Sequence, residues 1–220
     1  MNTTIWLAGA TGLVGGACLE ALLADPHVGA VVAVGRRAPA TTHPRQRFLA
    51  TNRFDDLAAP LARERPDAVL CALGTTIKRA GSQAAFREVD GEYPLRLAQA
   101  AQAAGVGVFA VVTAIGADPS SRIFYNRVKG ELELALRGLA IPTVHVLHPS
   151  LLLGQRTESR PAERIGGALA WLWALPCRGP WRKYRPIAAK TVGHALARTV
   201  SQTSPGWWVH EGAALERLGA

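Results

Sequence analysis

Six short apolar runs punctuate the chain, and most of the segments between them carry apolar residues at helical spacing. Residues 4–9, TIWLAG, are the first run, and LVGGACLEALLA follows with Leu13, Leu19, Leu22 and Leu23 on one helical stripe. AVVAVGRR (30–37) reads as a β-branched strand and RQRFLAT (45–51) as a shorter one. DDLAAPLARER (55–65) reads as helix and DAVLCALGTT (67–76) as a buried strand. A long helical pattern covers 83–104, with Phe86, Val89, Leu97 and Ala101 facing inward. GVFAVVTAIG (107–116) is again strand, SSRIFYNRVKGELELAL (120–136) helix, and PTVHVLHPSLLLG (142–154) a strand running into a loop. A sheet with one wet face would alternate apolar and polar; these strands are apolar on both faces. Such strands separated by helices predict an α/β fold, a doubly wound parallel sheet with helices on both faces. After residue 154 the alternation blurs and Pro, Trp and Arg rise. Residues 155–220 therefore read as a small C-terminal cap on the substrate side of a single domain spanning 1–220. Trp171/Trp173 and Trp207/Trp208 read as packing within it.

A chain of 220 residues suits one domain with a real core. With 49% hydrophobic and 19% charged residues it is not a disordered chain. Cys18, Cys71 and Cys177 are odd in number and far apart, without metal-ligand spacing, which fits free thiols in a reducing compartment. The start of the chain lacks a basic stretch ahead of its glycine-broken apolar run, and IGGALAWLWALPC is too short to span a bilayer. The expectation is a cytoplasmic protein with no membrane partner, a monomer or homodimer. The net charge of +9 raises nucleic acid as a partner. Its distribution matters more, because residues 151–190 hold eight Arg or Lys against Glu158 and Glu163. That stretch would suit a phosphorylated cofactor, an anionic substrate or an acidic partner, or be a solvated surface; nucleic acid is the weaker reading. The histidines do not cluster at ligand spacing, so no metal is expected. His148, beside Pro149, reads first as a satisfied structural histidine.

Candidate chemistry starts at Gly9, Gly12 and Gly15, a G-x-x-G-x-x-G pattern between the first strand and the first helix. In that place glycines allow a tight turn and close backbone approach, and the helix N-terminus offers unpaired N–H groups to a pyrophosphate. The expected architecture is thus the Rossmann type of dinucleotide-binding sheet. An NAD site usually has an acid near the end of the second strand to bind the ribose 2′-OH. Here that strand ends in Gly35-Arg36-Arg37, and two guanidiniums would instead attract a 2′-phosphate, which points to NADP(H). Asp55 and Asp56 fit either a place near the adenine or helix N-capping.

Tyr125 and Lys129 lie four apart on a predicted helix, so the hydroxyl and the ammonium share one face. With only 3 Tyr and 4 Lys in the chain, that spacing is expected by chance roughly 0.05 times. A free phenol titrates near pH 10, and a nearby ammonium should lower that value toward a useful range.

In order along the chain, GATGLVG, CALGTTIKRAGSQAAFREVD, TAIGAD, YNRVKGELE and HPSLLLGQR resemble the short-chain dehydrogenase/reductase superfamily. More narrowly they resemble its atypical branch of Tat-interacting oxidoreductase-like proteins and small nucleoside-diphosphate-sugar epimerase-like reductases. The resemblance covers residues 5–155, and the later YRPIAAKTVGHAL also fits. It implies that Gly9, Thr11, Gly12, Leu13 and Val14 meet the pyrophosphate, and Arg36 and Arg37 the 2′-phosphate. Leu73 and Gly74 would pass beside the cofactor, and Pro149, Ser150, Leu151 and Leu152 would clamp near the nicotinamide. Tyr125 would be the general acid/base, and Lys129 its electrostatic partner and a donor to the nicotinamide ribose. The family commonly has a Ser-Ser pair after the fifth strand, whereas this chain has Thr113-Ala114. Thr113 supplies the substrate-orienting hydroxyl if the first position is the working one; at the second, Ala114 has none. The expected function is an NADP(H)-dependent oxidoreductase acting on a small carbonyl or similar molecule. The alternative is an NADPH-binding regulatory protein with little turnover.

Overall fold

In the computed structural model, which describes residues 3–153 and 184–220, the six apolar runs become strands of one parallel sheet. They are β1 (Thr3–Ala8), β2 (Val28–Gly35), β3 (Gln46–Ala50), β4 (Ala68–Cys71), β5 (Val108–Val112) and β6 (Thr143–His148). Two short strands, β7 (Leu152–Leu153) and β8 (Ile187–Ala188), pair with each other, and β9 (Gly206–Glu211) adds a seventh strand to the main sheet. The order is β3-β2-β1-β4-β5-β6-β9, with every neighbour parallel. The helices are α1 (Leu13–Ala24), α2 (Ala58–Glu64), α3 (Ile77–Ala80), α4 (Gln83–Arg87), α5 (Tyr93–Ala103), α6 (Phe124–Arg137), α7 (Ala189–Arg198) and α8 (Gly212–Gly219).

Successive residues of each central strand go to opposite faces, and both faces are covered. Ile5, Leu7, Leu70, Ala110 and Leu147 pack under Leu19 and Leu22 of α1, Val192 and Leu196 of α7 and Leu215 of α8. Trp6, Val69, Phe109, Val111 and Val146 pack under Leu61 of α2, Leu97 and Ala101 of α5 and Leu132 and Leu136 of α6. Each fully buried Leu or Phe contributes about 1.5–3 kcal/mol of apolar transfer, so this double layer is the main source of stability. Polar ties join the layers at the edge: Trp6 Nε1 donates to Glu64 at 3.0 Å, and Arg47 grips the same carboxylate with two bonds of 2.9 Å.

Two features differ from the sequence reading. The long helix expected over 83–104 is two helices joined by a π-helical turn, Glu88–Glu92. The wider turn swings Asp90 inward, where it is 1% exposed. In the described part of the C-terminal region, residues 184–220, α7 lies against α1, β9 pairs with β6 as a strand the sequence did not announce, and α8 closes over both. Trp207 joins the core on the α6 side, while Trp208 is exposed and its Nε1 donates to the Ser204 carbonyl. Trp171, Trp173, Cys177 and six of the eight basic residues of 151–190 lie outside the described residues; Arg185 and Lys190 are on the surface. Among the described residues, no helix is long and apolar enough to cross a membrane.

Candidate functional site

The turn from β1 into α1 is built by close approach. Gly9 has φ +85°, and a Cβ there would sit 2.5 Å from the Ala72 carbonyl oxygen beyond β4. A Cβ on Gly15 would lie 2.1 Å from the Gly9 oxygen, so the first turn of α1 can pack on the loop only as glycine. Gly12 caps the helix with an ordinary φ of −84° and no side-chain bond, and the first turn holds no acid. The N–H groups at that end are therefore well placed for an anion. Thr11 is exposed beside them, but Val14 is buried in the core and Leu13 packs against it, so both can reach a pyrophosphate only through their backbone.

Arg36 and Arg37 follow β2 and are both exposed, with no acid at the strand end. Arg36 is near enough to Tyr93 to act on its phenol, and Tyr93 stacks on Phe54 with ring centroids 5.3 Å apart. Asp55 pairs with Arg96 at 2.7 Å and Arg53 at 3.3 Å, and Asp56 accepts from Thr51 Oγ1. Neither caps α2, which starts at Ala58 behind Leu57; the capping reading of these acids is corrected.

Beyond β4, Leu73 passes beside Gly9, and Gly74 lies against Asp90, where an added Cβ would be 3.5 Å from Oδ1. Asp90 joins the halves of the site: its Oδ2 accepts from the Thr75 N–H at 2.8 Å, and its Oδ1 lies 2.8 Å from Lys129 Nζ. The Asp90 and Lys129 side chains are 2% and 3% exposed. Burial works against the Lys129 charge, but Asp90 and Tyr125 outweigh it and hold its pKa above the ordinary lysine value. Tyr125 lies one turn earlier on α6, its ring 5.5 Å from that of Phe86. Burial raises its pKa, with Asp90 adding to the shift and Lys129 opposing it. Lys129 does pull the phenol downward, as expected, but desolvation of the ring outweighs it, so the net shift is upward.

Thr113 stands at the end of β5, and its hydroxyl donates to Glu133 Oε1 at 2.6 Å, while Ala114 is buried and its side chain has no polar atom. The Pro149–Leu152 loop is held from both sides: the Pro149 carbonyl accepts from Ile115 N–H, the Leu151 carbonyl from Ile187 N–H, and Ser150 Oγ donates to the Arg185 carbonyl. Asp90 and Glu133 were not singled out in the sequence. Glu133 was findable, since it lies four residues beyond Lys129 on the same helix face. Asp90 had no local signal beyond an acid inside an apolar helical pattern. Among the described residues, no group of His, Cys, Asp and Glu could hold a metal. A cavity of about 630 Å³ lies at the opposite end of the sheet, bordered by Asp25, Asp67 and His194. It does not carry the assignment, because ligands of open α/β sheets bind at the carboxyl ends of the strands, where the glycine turn and Tyr125 are.

Known proteins agree with this geometry. Residues 9–137 match the NAD(P)H-binding family. A protein of Emericella nidulans named fmp52, mitochondrial, is 35% identical over 165 residues, 72% of this chain and 71% of that protein. The HTATIP2 protein of Rattus norvegicus is 33% identical over 210 residues, covering 93% and 83%. Among solved structures, the Bordetella bronchiseptica enzyme WbmH in complex with NAD+ superposes with a TM-score of 0.69 at 17% identity, over 99% of this chain and 80% of that one. MoeE5 in complex with UDP-glucose and NAD gives 0.70 at 18%, over 95% and 75%. The naming of the fungal relatives as mitochondrial contradicts the expectation of a cytoplasmic protein, which rested on unpaired cysteines and the start of the chain. The matched family, the two groups of relatives and the seven-stranded sheet converge: the chain belongs to the NAD(P)H-binding family and is an atypical short-chain dehydrogenase/reductase.

Proposed function

We propose that the protein is an NADP(H)-dependent oxidoreductase that reduces small carbonyl compounds, with Tyr125 as the proton donor. The observation that carries this reading is the half-buried phenol of Tyr125, one helical turn from the buried Lys129–Asp90 pair, at the end of the sheet that holds the glycine turn. A neutral phenol donates a hydrogen bond to a carbonyl oxygen and can release its proton as charge builds there, so it serves reduction better than alcohol oxidation, which needs phenolate.

The residues present fit a dinucleotide. Gly9 and Gly15 leave a cradle that side chains would fill, and the N-terminus of α1 is free of acids. Arg36 and Arg37 favour the 2′-phosphate of NADP(H). The nicotinamide supplies the hydride. Lys129 gives one of its three N–H donors to Asp90 and keeps the others for the ribose. Two carbonyls of the Pro149–Leu152 loop are already engaged, so its contact with the nicotinamide falls to the remaining backbone groups.

A second reading, an NADPH-holding regulatory protein with little turnover, is favoured by one observation: Ala114 has no hydroxyl, and that of Thr113 is committed to Glu133. NADPH consumption with a panel of small aldehydes and ketones separates the two. The oxidoreductase reading expects substrate-dependent oxidation of NADPH; tight NADPH binding without turnover across the panel favours the second.

A further inference from the structure

The carboxyl ends of β5, β6 and β9 lie in register, Val112 opposite Leu147 and His148 opposite Glu211. Thr113, His148 and Glu211 therefore stand in a row along one edge of the sheet, and Glu133 reaches into that row from α6. Its Oε1 takes Thr113 Oγ1 at 2.6 Å and His148 Nε2 at 2.8 Å, while His148 Nδ1 lies 3.7 Å from Glu211 Oε2. The Glu133 and His148 side chains are 13% and 12% exposed, so this cluster is largely shielded from water.

A carboxylate only accepts hydrogen bonds. The single hydroxyl proton of Thr113 therefore points at Glu133, and the proton His148 offers to that oxygen sits on Nε2. Two donors on one oxygen stop the carboxylate from rotating away. What Thr113 Oγ1 has left is lone pairs. It can accept a hydrogen bond from a bound molecule, but it cannot donate one to a carbonyl oxygen while Glu133 holds its proton.

We propose that Glu133 and His148 are positioning residues that fix Thr113 as an acceptor, so that the site selects carbonyl substrates carrying a neighbouring hydroxyl or amino group. This rests on the reductase reading above. The carbonyl oxygen goes to Tyr125, the neighbouring donor goes to Thr113, and the reaction itself is unchanged. The hydride adds to the carbonyl carbon, the Tyr125 proton goes to its oxygen, and the nicotinamide is oxidised.

Hydroxyacetone and butan-2-one differ only by a hydroxyl in place of a methyl and make the test. Their kcat/KM with NADPH is compared in the parent protein, Thr113→Val and Glu133→Leu, which removes the acceptor that holds the Thr113 proton, with NADPH affinity measured alongside. Because hydroxyacetone is the more electrophilic ketone, the change in the ratio carries the comparison rather than the ratio itself. The hydroxyacetone-to-butanone ratio should fall by roughly tenfold in each variant, the worth of about one hydrogen bond, with NADPH affinity unchanged. The double variant should be no worse than Thr113→Val alone, since Glu133 acts through Thr113. A ratio that survives either substitution overturns the proposal and leaves the reductase reading intact. If neither ketone nor any of the panel is turned over while NADPH binds, the reductase reading fails, and the substrate selection proposed here falls with it. Nitrogen-15 spectra of His148 test the positioning row separately: a proton on Nε2 that loses its fixed place in Glu133→Leu supports it, and a proton on Nδ1 alone overturns it.

Discussion

In the proposed function, Arg36 is the residue on which cofactor choice would turn. It is exposed at the end of β2, where an NAD-preferring site would place an acid, and Arg37 stands beside it. NADPH should bind more tightly than NADH, and Arg36→Ala should reduce that gap by roughly tenfold through loss of a charge-assisted contact. Fluorescence titration of both cofactors checks it, and equal affinities in the parent protein would sink the NADP(H) assignment. The places of Arg36, Lys129 and the glycines were legible in the sequence because they are set locally: a strand end, a helix spacing, a turn. The state of Tyr125 was not. Its pKa depends on how far Phe86 and the rest of the fold desolvate the ring and on an acid 35 positions away, neither of which spacing reveals.

At the scale of elements, the π-helical turn and the edge strand β9 carry the least obvious consequences. The turn exists to bring Asp90 under α6, where the acid bridges Lys129 and the Thr75 N–H. Asp90→Asn leaves a buried ammonium without its counter-charge and should cost about 3 kcal/mol. Urea unfolding with an unchanged m-value would register that loss, and a change below roughly 0.5 kcal/mol would mean the pair is not what joins these elements. Strand β9 is tied to β6 by stacked histidines. His145 Nε2 donates to the Gln202 carbonyl at 2.9 Å, so its Nδ1 must accept from His210 Nε2, also at 2.9 Å. Burial holds both below the ordinary imidazole value, His210 at about 4. Unfolded imidazoles titrate near 6.5, so between about 6.5 and 4 the unfolded chain binds more protons. The stability from this pair is complete above that window and is lost as pH falls through it. Trp207 and Trp208 on the same strand report the transition. The urea midpoint should fall from pH 7.5 to pH 5, and less so in His210→Gln; equal slopes in parent and variant would remove the pair as the cause.

β9 and the π turn also mark where the sequence stopped being readable. The five inner strands and the bounds of α1 follow from unbroken apolar runs that only a sheet covered on both faces demands. GWWVHE is an edge strand with one partner and three exposed positions, so it lacks that signal. The helical pattern over 83–104 continues through the π turn because one extra residue per turn barely disturbs it.

For the whole molecule, the two ends of the sheet are unlike. The carboxyl ends gather the glycine turn, the arginine pair, Asp90–Lys129 and Tyr125 within one edge, whereas the opposite end holds a cavity of about 630 Å³ without such chemistry. A single comparison tests whether that edge is a reductase site. NADPH affinity and NADPH-linked turnover of the best carbonyl substrate are measured in the parent protein and in Tyr125→Phe, which keeps the ring against Phe86 and removes only the hydroxyl. NADPH should bind both within about twofold, while turnover falls by roughly 10²–10⁴-fold, the usual worth of a positioned acid. Turnover that survives the substitution unchanged would contradict the role of Tyr125 and, with it, the proposed reaction.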